Sequence, residues 1–201
     1  MYHLLVYRPR WTLNSGQYIR ISNNRLSRKI SYILRHAPWE YELEPDQEGW
    51  VALEHLLEGL RREPEFAQVS RADIDRMIAN SSKVRHQLEG DRIRAIYGHS
   101  IPGKVTRQIG TPPEELFHGT IARYVSAIKQ EGLRPMSRQY VHLSCLPEVA
   151  CTVAKRKGDD VVILKIHAAA ACQSGIRFYQ GDERVWLADT IPADWIEFPD
   201  S

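Results

Sequence analysis

Arginine and histidine recur where the chain turns. Arg35-His36 closes an apolar helical run just before Ala37-Pro38. Arg85, Arg94, Gly98-His99-Ser100, His118-Gly119-Thr120, Arg138 and His142-Leu143-Ser144 follow along the chain. Most of these positions fall at expected strand or helix ends, where side chains and free backbone N–H groups can converge on an anion. Arginine forks match phosphate oxygens two at a time, so several arginines without partner carboxylates point to a site that handles phosphate. The cluster holds no carboxylate pair of the kind that cleaves glycosides, and it lacks a GxxxxGKS/T loop, an HExxH motif and a GxSxG elbow. Nor does it gather Asp and Glu to hold Mg²⁺ near phosphate, so no metal is expected.

Each residue also has a plainer reading. Arg35 and His36 can simply complement the negative end of a helix macrodipole. His118 fits a core histidine, Arg138 a solvated loop residue, and Arg94 a strand position facing water. Trp50, Trp186 and Trp195 read as core rather than as platforms for bases. It is the constellation that carries the chemistry.

The elements that must position these residues follow from pattern. The chain has 201 residues, room for one large domain or two small lobes. Hydrophobic residues make up 43% and charged residues 26%, an ordinary balance for a globular protein. A net charge of +2 is too small to mark nucleic-acid binding by itself, so any polyanion site must come from local clustering. Cys145, Cys151 and Cys172 lack CxxC spacing, which argues against a disulfide framework or structural zinc and for a reducing compartment. The start shows no secretory pattern, and no stretch nears the roughly 18 apolar residues of a membrane helix; a soluble, cytoplasmic protein is expected.

Residues 1–24 read as an extension, with strands around Leu4–Tyr7 and Tyr18–Ile21. Ser27 is the expected N-cap of a helix whose apolar face includes Ile30, Ile33 and Leu34 and which stops before Pro38. Leu53, Leu56, Leu57 and Leu60 mark a second helix. Ser70 to Asp73 has capping-box spacing and opens a third, carrying Ile74, Met77 and Ile78. Val84–Leu88 and Asp91–Tyr97 are strands around a Glu89-Gly90-Asp91 turn. Three helices and a hairpin over 25–100 follow the order of a winged helix. Residues 101–113 have linker composition. Residues 114–201 read as a β-rich lobe with two helices, Ile121–Gln130 and Pro147–Lys157. Its strands lie at LFHGT, YVHLS, VVILKIHA, FYQ, RVWLA and WIEF. The fold class is therefore α+β.

From Leu26 to Trp195 the sequence resembles the RNA 2′-phosphotransferase family, the NAD-dependent tRNA 2′-phosphotransferases. The stretches that carry the resemblance are LSRKISYILRHAPW, EGWVALEHLL, SSKVRHQLEGDRIRA, GHSIP, LFHGT, RPMSRQYVHLS, VVILKIHA and RVWLADTIPADWI, in register.

The resemblance implies a winged-helix-like RNA lobe followed by an ADP-ribosyltransferase-like lobe that binds NAD; nothing in the sequence suggests an obligate assembly, so a monomer is expected. It implies removal of an internal 2′-phosphate from RNA through a 2′-phospho-ADP-ribosylated intermediate. The products are 2′-hydroxyl RNA, ADP-ribose 1″,2″-cyclic phosphate and nicotinamide. The family's catalytic set falls on Arg35, His36, Arg85 and Arg138, with His86 where an aromatic is usual. Its NAD contacts fall on His118, Gly119 and Thr120, in what is expected to be a turn, and on His142, with Ser144 as a further ribose contact. Val185 stands where many ADP-ribosyltransferases carry a glutamate. An acceptor that is already an anion needs no general base. Ile96-Tyr97 replaces the usual Asn-Gln, and Gln180 to Arg184 replaces the usual loop before the valine. The alternative activity is ADP-ribosylation of phosphorylated nucleic-acid ends, stopping after the first step.

Overall fold

Helix α1 (Asn23–His36) begins earlier than its apolar spacing suggests. Ser22, not Ser27, is the N-cap, its Oγ accepting from the Arg25 N–H at 3.3 Å. Ser27 is buried inside the helix, and Leu26, one period before Ile30, extends the buried face backward. This computed structural model describes residues 21–199. The strand expected at Leu4–Tyr7, and all but the end of the one at Tyr18–Ile21, lie outside them. Pro38 ends α1 as expected, opening a 3-10 turn over Pro38–Tyr41.

A short strand β1 (Val51–Ala52) leads into α2 (Leu53–Arg61), which buries Leu53, Leu56, Leu57 and Leu60. Helix α3 (Arg71–Ala79) buries Ile74 and Met77. At its start the Asp73 carboxylate accepts from the Ser70 N–H at 3.0 Å and the Ser70 hydroxyl at 2.6 Å. Strands β2 (His86–Glu89) and β3 (Arg92–Ala95) form the expected hairpin, with Gly90 at φ 56° in its turn. β1 adds to β3 with Val51 opposite Ile93, completing a three-stranded sheet in the order β1-β3-β2. One continuous core joins these elements, from Leu26 and Ile30 through Leu56 and Met77 to Ile93.

A second core, which includes Leu116, Leu143, Leu164, Phe178 and Ile191, lies in the other half of the chain. Its long inner strand β5 (Glu115–Ile121) is followed by α4 (Ala122–Glu131), β6 (Val141–Ser144), α5 (Pro147–Ala154) and β7 (Val161–His167). Strands β8 (Phe178–Gln180), β9 (Val185–Ala188) and β10 (Ile196–Glu197) complete it. A helix over Ala168–Gln173, called α6, was not expected: its run of alanines has no amphipathic period to read. The residues read as a linker contribute strand β4 (Ile109–Gly110), which pairs with β8. The sheet order is β10-β7-β5-β6-β9-β8-β4. Gln139 fastens this stretch, donating to Ile101 O at 3.0 Å and Gly103 O at 2.7 Å and accepting from the Val105 N–H at 2.9 Å. No helix among the described residues is long and apolar enough to cross a membrane.

Gly119 sits where α5 crosses β5. A Cβ there would fall inside contact distance of the Ala150 carbonyl oxygen and 2.9 Å from Ala154 Cβ. Gly119→Ala is therefore expected to lower the urea midpoint, at a cost of about 1–3 kcal/mol for forcing a methyl into packed space. An unchanged midpoint would show that α5 moves off β5 freely.

Candidate active site

The last turn of α1 carries Arg35 and His36 to the segment that follows β3. The Ser100 N–H donates to Arg35 O at 2.9 Å, and Ser100 Oγ lies 2.8 Å from His36 Nδ1. Arg138, on the loop before β6, donates from Nη1 to Gly98 O at 3.0 Å. Gly98 has φ +92°, and a Cβ there would lie 2.7 Å from Arg138 Nη1 and 3.6 Å from Arg35 Cδ. Only glycine suits both the backbone and the crowding. Arg85 joins through its main chain, its carbonyl accepting from Arg35 Nη2 at 3.4 Å. Three of the four residues implied as catalytic thus gather directly on Gly98 or Ser100, while the Arg85 guanidinium donates to Ser81 Oγ at 3.4 Å and only its carbonyl meets the cluster.

No carboxylate pairs with these four among the described residues, unlike Arg25 with Glu65 or Arg177 with Asp189. Burial first, with repulsion from Arg138 and Arg85 outlasting the favourable influence of Tyr97, lowers the Arg35 guanidinium to about 10. Arg35 Nε is buried with no hydrogen-bond partner. Burial also lowers the His36 pKa, followed by repulsion from Arg138 and Arg35. A site with this balance favours an oxyanion, and a bound dianion raises the proton affinity of His36 again.

The second pair of histidines lies next to this cluster. His142 Nδ1 donates to Tyr140 O at 3.0 Å, and burial, then Arg138, pulls its pKa to about 4. The imidazole is neutral at pH 7, so Nε2, buried and unpartnered, carries a lone pair. His118 Nδ1 donates to His142 O at 2.9 Å, and burial lowers its pKa as well. His118-Gly119-Thr120 is not a turn: these residues continue β5 and pair with Leu164, Ile163 and Val162 of β7. Their apolar flanks and the partner strand extend the ladder through them. Thr120 is buried within β5, and Ser144 faces Val185 across β6 and β9.

Tyr97 was missed. Its hydroxyl donates to Asp182 Oδ2 at 2.9 Å, and its ring lies 5.6 Å from Arg35 Cζ and 5.8 Å from the His142 ring. Burial and Asp182 push its pKa up to about 12. Val185 and Tyr97 both pack against Tyr140, Tyr179 and Leu187. Tyr97 and Asp182 each occupy a stretch that departs from the common family pattern, and each is the other's partner. Two departures flanking separate motifs were the available signal.

Two histidines are buried below the site. His86 Nε2 is 3.0 Å from Ser31 Oγ, filling the usual aromatic position, and His99 Nδ1 is 3.4 Å from Arg107 Nη2. Arg94 does not join the cluster; its guanidinium lies 4.3 Å over the Trp50 ring and contacts Gln87.

A family model described as RNA 2′-phosphotransferase, Tpt1 / KptA family, matches residues 22–190. A probable RNA 2′-phosphotransferase of Bacillus thuringiensis is 49% identical over 171 residues, 85% of this chain and 92% of its own. One from Acetivibrio thermocellus is 46% identical over 180 residues, 90% of this chain and 99% of the relative. One from Pyrococcus horikoshii is 37% identical across 86% of this chain and 96% of its own.

Burial holds His86 and His99 at about 3 and His142 at about 4, all below their ordinary 6.5. As pH falls through that ordinary value, the unfolded chain takes up protons that the folded chain refuses. Stability is therefore lost with acidity. The urea midpoint is expected to fall steadily from pH 7 toward about pH 5, and His86→Phe to flatten that fall. An unaltered slope in the variant would mean that His86 charges within the folded protein.

Proposed function

The chain belongs to the RNA 2′-phosphotransferase family, and we propose that it removes an internal 2′-phosphate from RNA with NAD consumed as co-substrate. The observation that carries this reading is the carboxylate-free convergence of Arg35, Arg138 and His36 on Gly98–Ser100, beside the neutral His142. The order α1-β1-α2-α3-β2-β3 supports reading the first half as a winged-helix RNA module. The second sheet, with His118 and His142 on adjacent strands, supports an ADP-ribosyltransferase-like NAD lobe.

The residues present fit such a co-substrate. His142 Nε2 is a buried acceptor without a partner, suited to a ribose hydroxyl. When bound, NAD offers an electrophilic ribose carbon and, beside it, a hydroxyl able to attack phosphorus. Arg35 and Arg138 would grip the RNA phosphate and steer one oxygen toward that carbon as its bond to nicotinamide breaks and nicotinamide leaves; being already an anion, the oxygen needs no base, which suits an apolar Val185. In the second step the guanidiniums neutralise charge growing on five-coordinate phosphorus. His36, recharged by the phosphate, faces the departing RNA 2′-oxygen and gives it a hydrogen bond or a proton.

Incubation with NAD and a 2′-phosphorylated oligonucleotide tests the reading by product mass. Dephosphorylated RNA supports it; a lasting ADP-ribosylated adduct favours a transferase that stops halfway, and unreacted RNA refutes it. Turnover is expected to survive excess EDTA. Arg138→Ala should slow the second step on the order of a hundredfold to a thousandfold and accumulate the adduct. Slow consumption without adduct would remove Arg138 from that step. His36→Ala should fold and bind NAD normally while turnover collapses. A change of about 0.3–1 kcal/mol in stability with wild-type rates would leave His36 as a helix-dipole partner only.

A further inference from the structure

A second basic site lies beside the one just described. Lys104, Arg107 and Arg177 line a cleft of about 280 Å³ whose walls include Tyr140 and Tyr179. Asp189 is bonded by Lys104 and, at 3.0 Å, by Arg177, so one carboxylate answers two cations and Arg107 is left over. Arg107 Nε is buried without a hydrogen-bond partner, and the guanidinium's only hydrogen bond among the described residues is to His99 Nδ1 at 3.4 Å, with Glu48 acting on it only through space. His99 is neutral, so it accepts from the guanidinium without cancelling its charge. Burial, then Arg94, lowers the Arg107 pKa to about 10. A desolvated arginine held by a neutral partner in an open cleft is costly unless an anion completes it.

The cleft selects by charge and not by base. Tyr140 donates its hydroxyl to Val105 O at 2.7 Å and Tyr179 to Asp189 at 2.9 Å, and both rings are nearly buried. They form a floor and offer no free face for stacking. Two features separate the cleft from the NAD histidines. It lies at the β8-β4 edge of the sheet, with β9 between it and β6. It also continues toward the first sheet, where Arg94 and Arg92 lie 4.3 and 5.0 Å over Trp50 and are paired with Glu48 at 3.3 Å and Asp46 at 4.0 Å. The cleft, with Arg107 as the cation that no carboxylate bonds, suits one phosphate of an extended polyanion. It also begins beside His99, whose neighbours Gly98 and Ser100 hold Arg138 and His36.

We infer that Arg107, with Lys104 and Arg177, binds a backbone phosphodiester of the RNA substrate flanking the 2′-phosphate. This rests on the reading of the chain as an enzyme of RNA. The segment read as a linker is then part of the RNA track, and the contact is independent of base identity.

The test compares wild type with Arg107→Gln, using fluorescence anisotropy on a 2′-phosphorylated dodecamer across a salt series, and calorimetry with a nucleoside 2′-monophosphate, which has no backbone phosphodiester, and with NAD. For the dodecamer, Kd should rise several-fold and the log–log salt slope become shallower by about 0.7, the loss of one single-strand phosphate contact. Nucleoside 2′-monophosphate and NAD affinities should not move, and the melting temperature should hold or rise, since a buried uncompensated cation is gone. Arg177→Gln, at an exposed position, should shift the dodecamer in the same direction. Unchanged dodecamer binding in both variants overturns the inference. So does a matching loss of NAD affinity, which would assign the cleft to the dinucleotide. Binding and turnover are read separately: a wild type that holds the dodecamer with the steeper slope but never dephosphorylates it refutes the proposed function and leaves this contact standing.

Discussion

Positive charge gathered at one turn and left without a carboxylate is the constraint around which this structure is arranged. Arg35 is oriented by the Arg85 carbonyl and the face of Tyr97, and Arg138 by the Gly98 carbonyl. Each partner is a dipole or a quadrupole, which aims a guanidinium without neutralising it. Elsewhere the chain pairs arginines with carboxylates, as in Arg71 with Asp91 and Arg62 with Glu42. Like charges held close repel by on the order of a few kcal/mol, so the arrangement persists only because two packed cores hold its walls in place. On the proposed reading, that stored repulsion is what a bound phosphate dianion would relieve.

The same field explains the histidines. His36 and His142 feel Arg138 and Arg35, His86 feels Arg35 and Arg85, and His99 feels Arg107. Burial and cationic neighbours act in one direction on all of them, towards the neutral ring. A neutral imidazole can donate at one nitrogen and accept at the other, which leaves His142 Nε2 a free acceptor and lets His99 accept from Arg107. Charge on these rings would compete with the arginines for the same anion. Keeping them neutral leaves the guanidiniums as the dominant attraction.

Tyr97 and Asp182 show how a departure from a common pattern is absorbed. Read singly, a tyrosine before Gly98 removes a polar side chain from the site, and an aspartate after Gly181 alters a loop. Together they form a hydrogen bond between the segment leaving β3 and the loop entering β9. That bond fixes the ring that Arg35 faces and that His142 meets edge-on. At this position the chain makes an aromatic contact with its own anchor, at the place where its two halves meet.

Much of this was legible in the chain itself. The period of Ile30, Ile33 and Leu34 and the proline at 38 place Arg35 and His36 at a helix end, because local sterics and one-sided burial act within a few residues. The alternation through 84–97 and the apolar run from Val161 draw the main strands for the same reason. Arg35, His36, Arg138 and His142 could be named from motif order. Tertiary structure decided what local rules cannot reach. It extended α1 back to Ser22, turned part of a proline-rich stretch into an edge strand through Gln139 and β8, and formed α6 from alanines with no period. It also kept His118-Gly119-Thr120 in the β5 ladder and paired Tyr97 with Asp182. Each of these rests on a partner distant in the chain or on packing that no short window of residues contains. The chain therefore determined which groups could do chemistry and which elements carry them, while contacts between distant segments determined which charges stay unanswered.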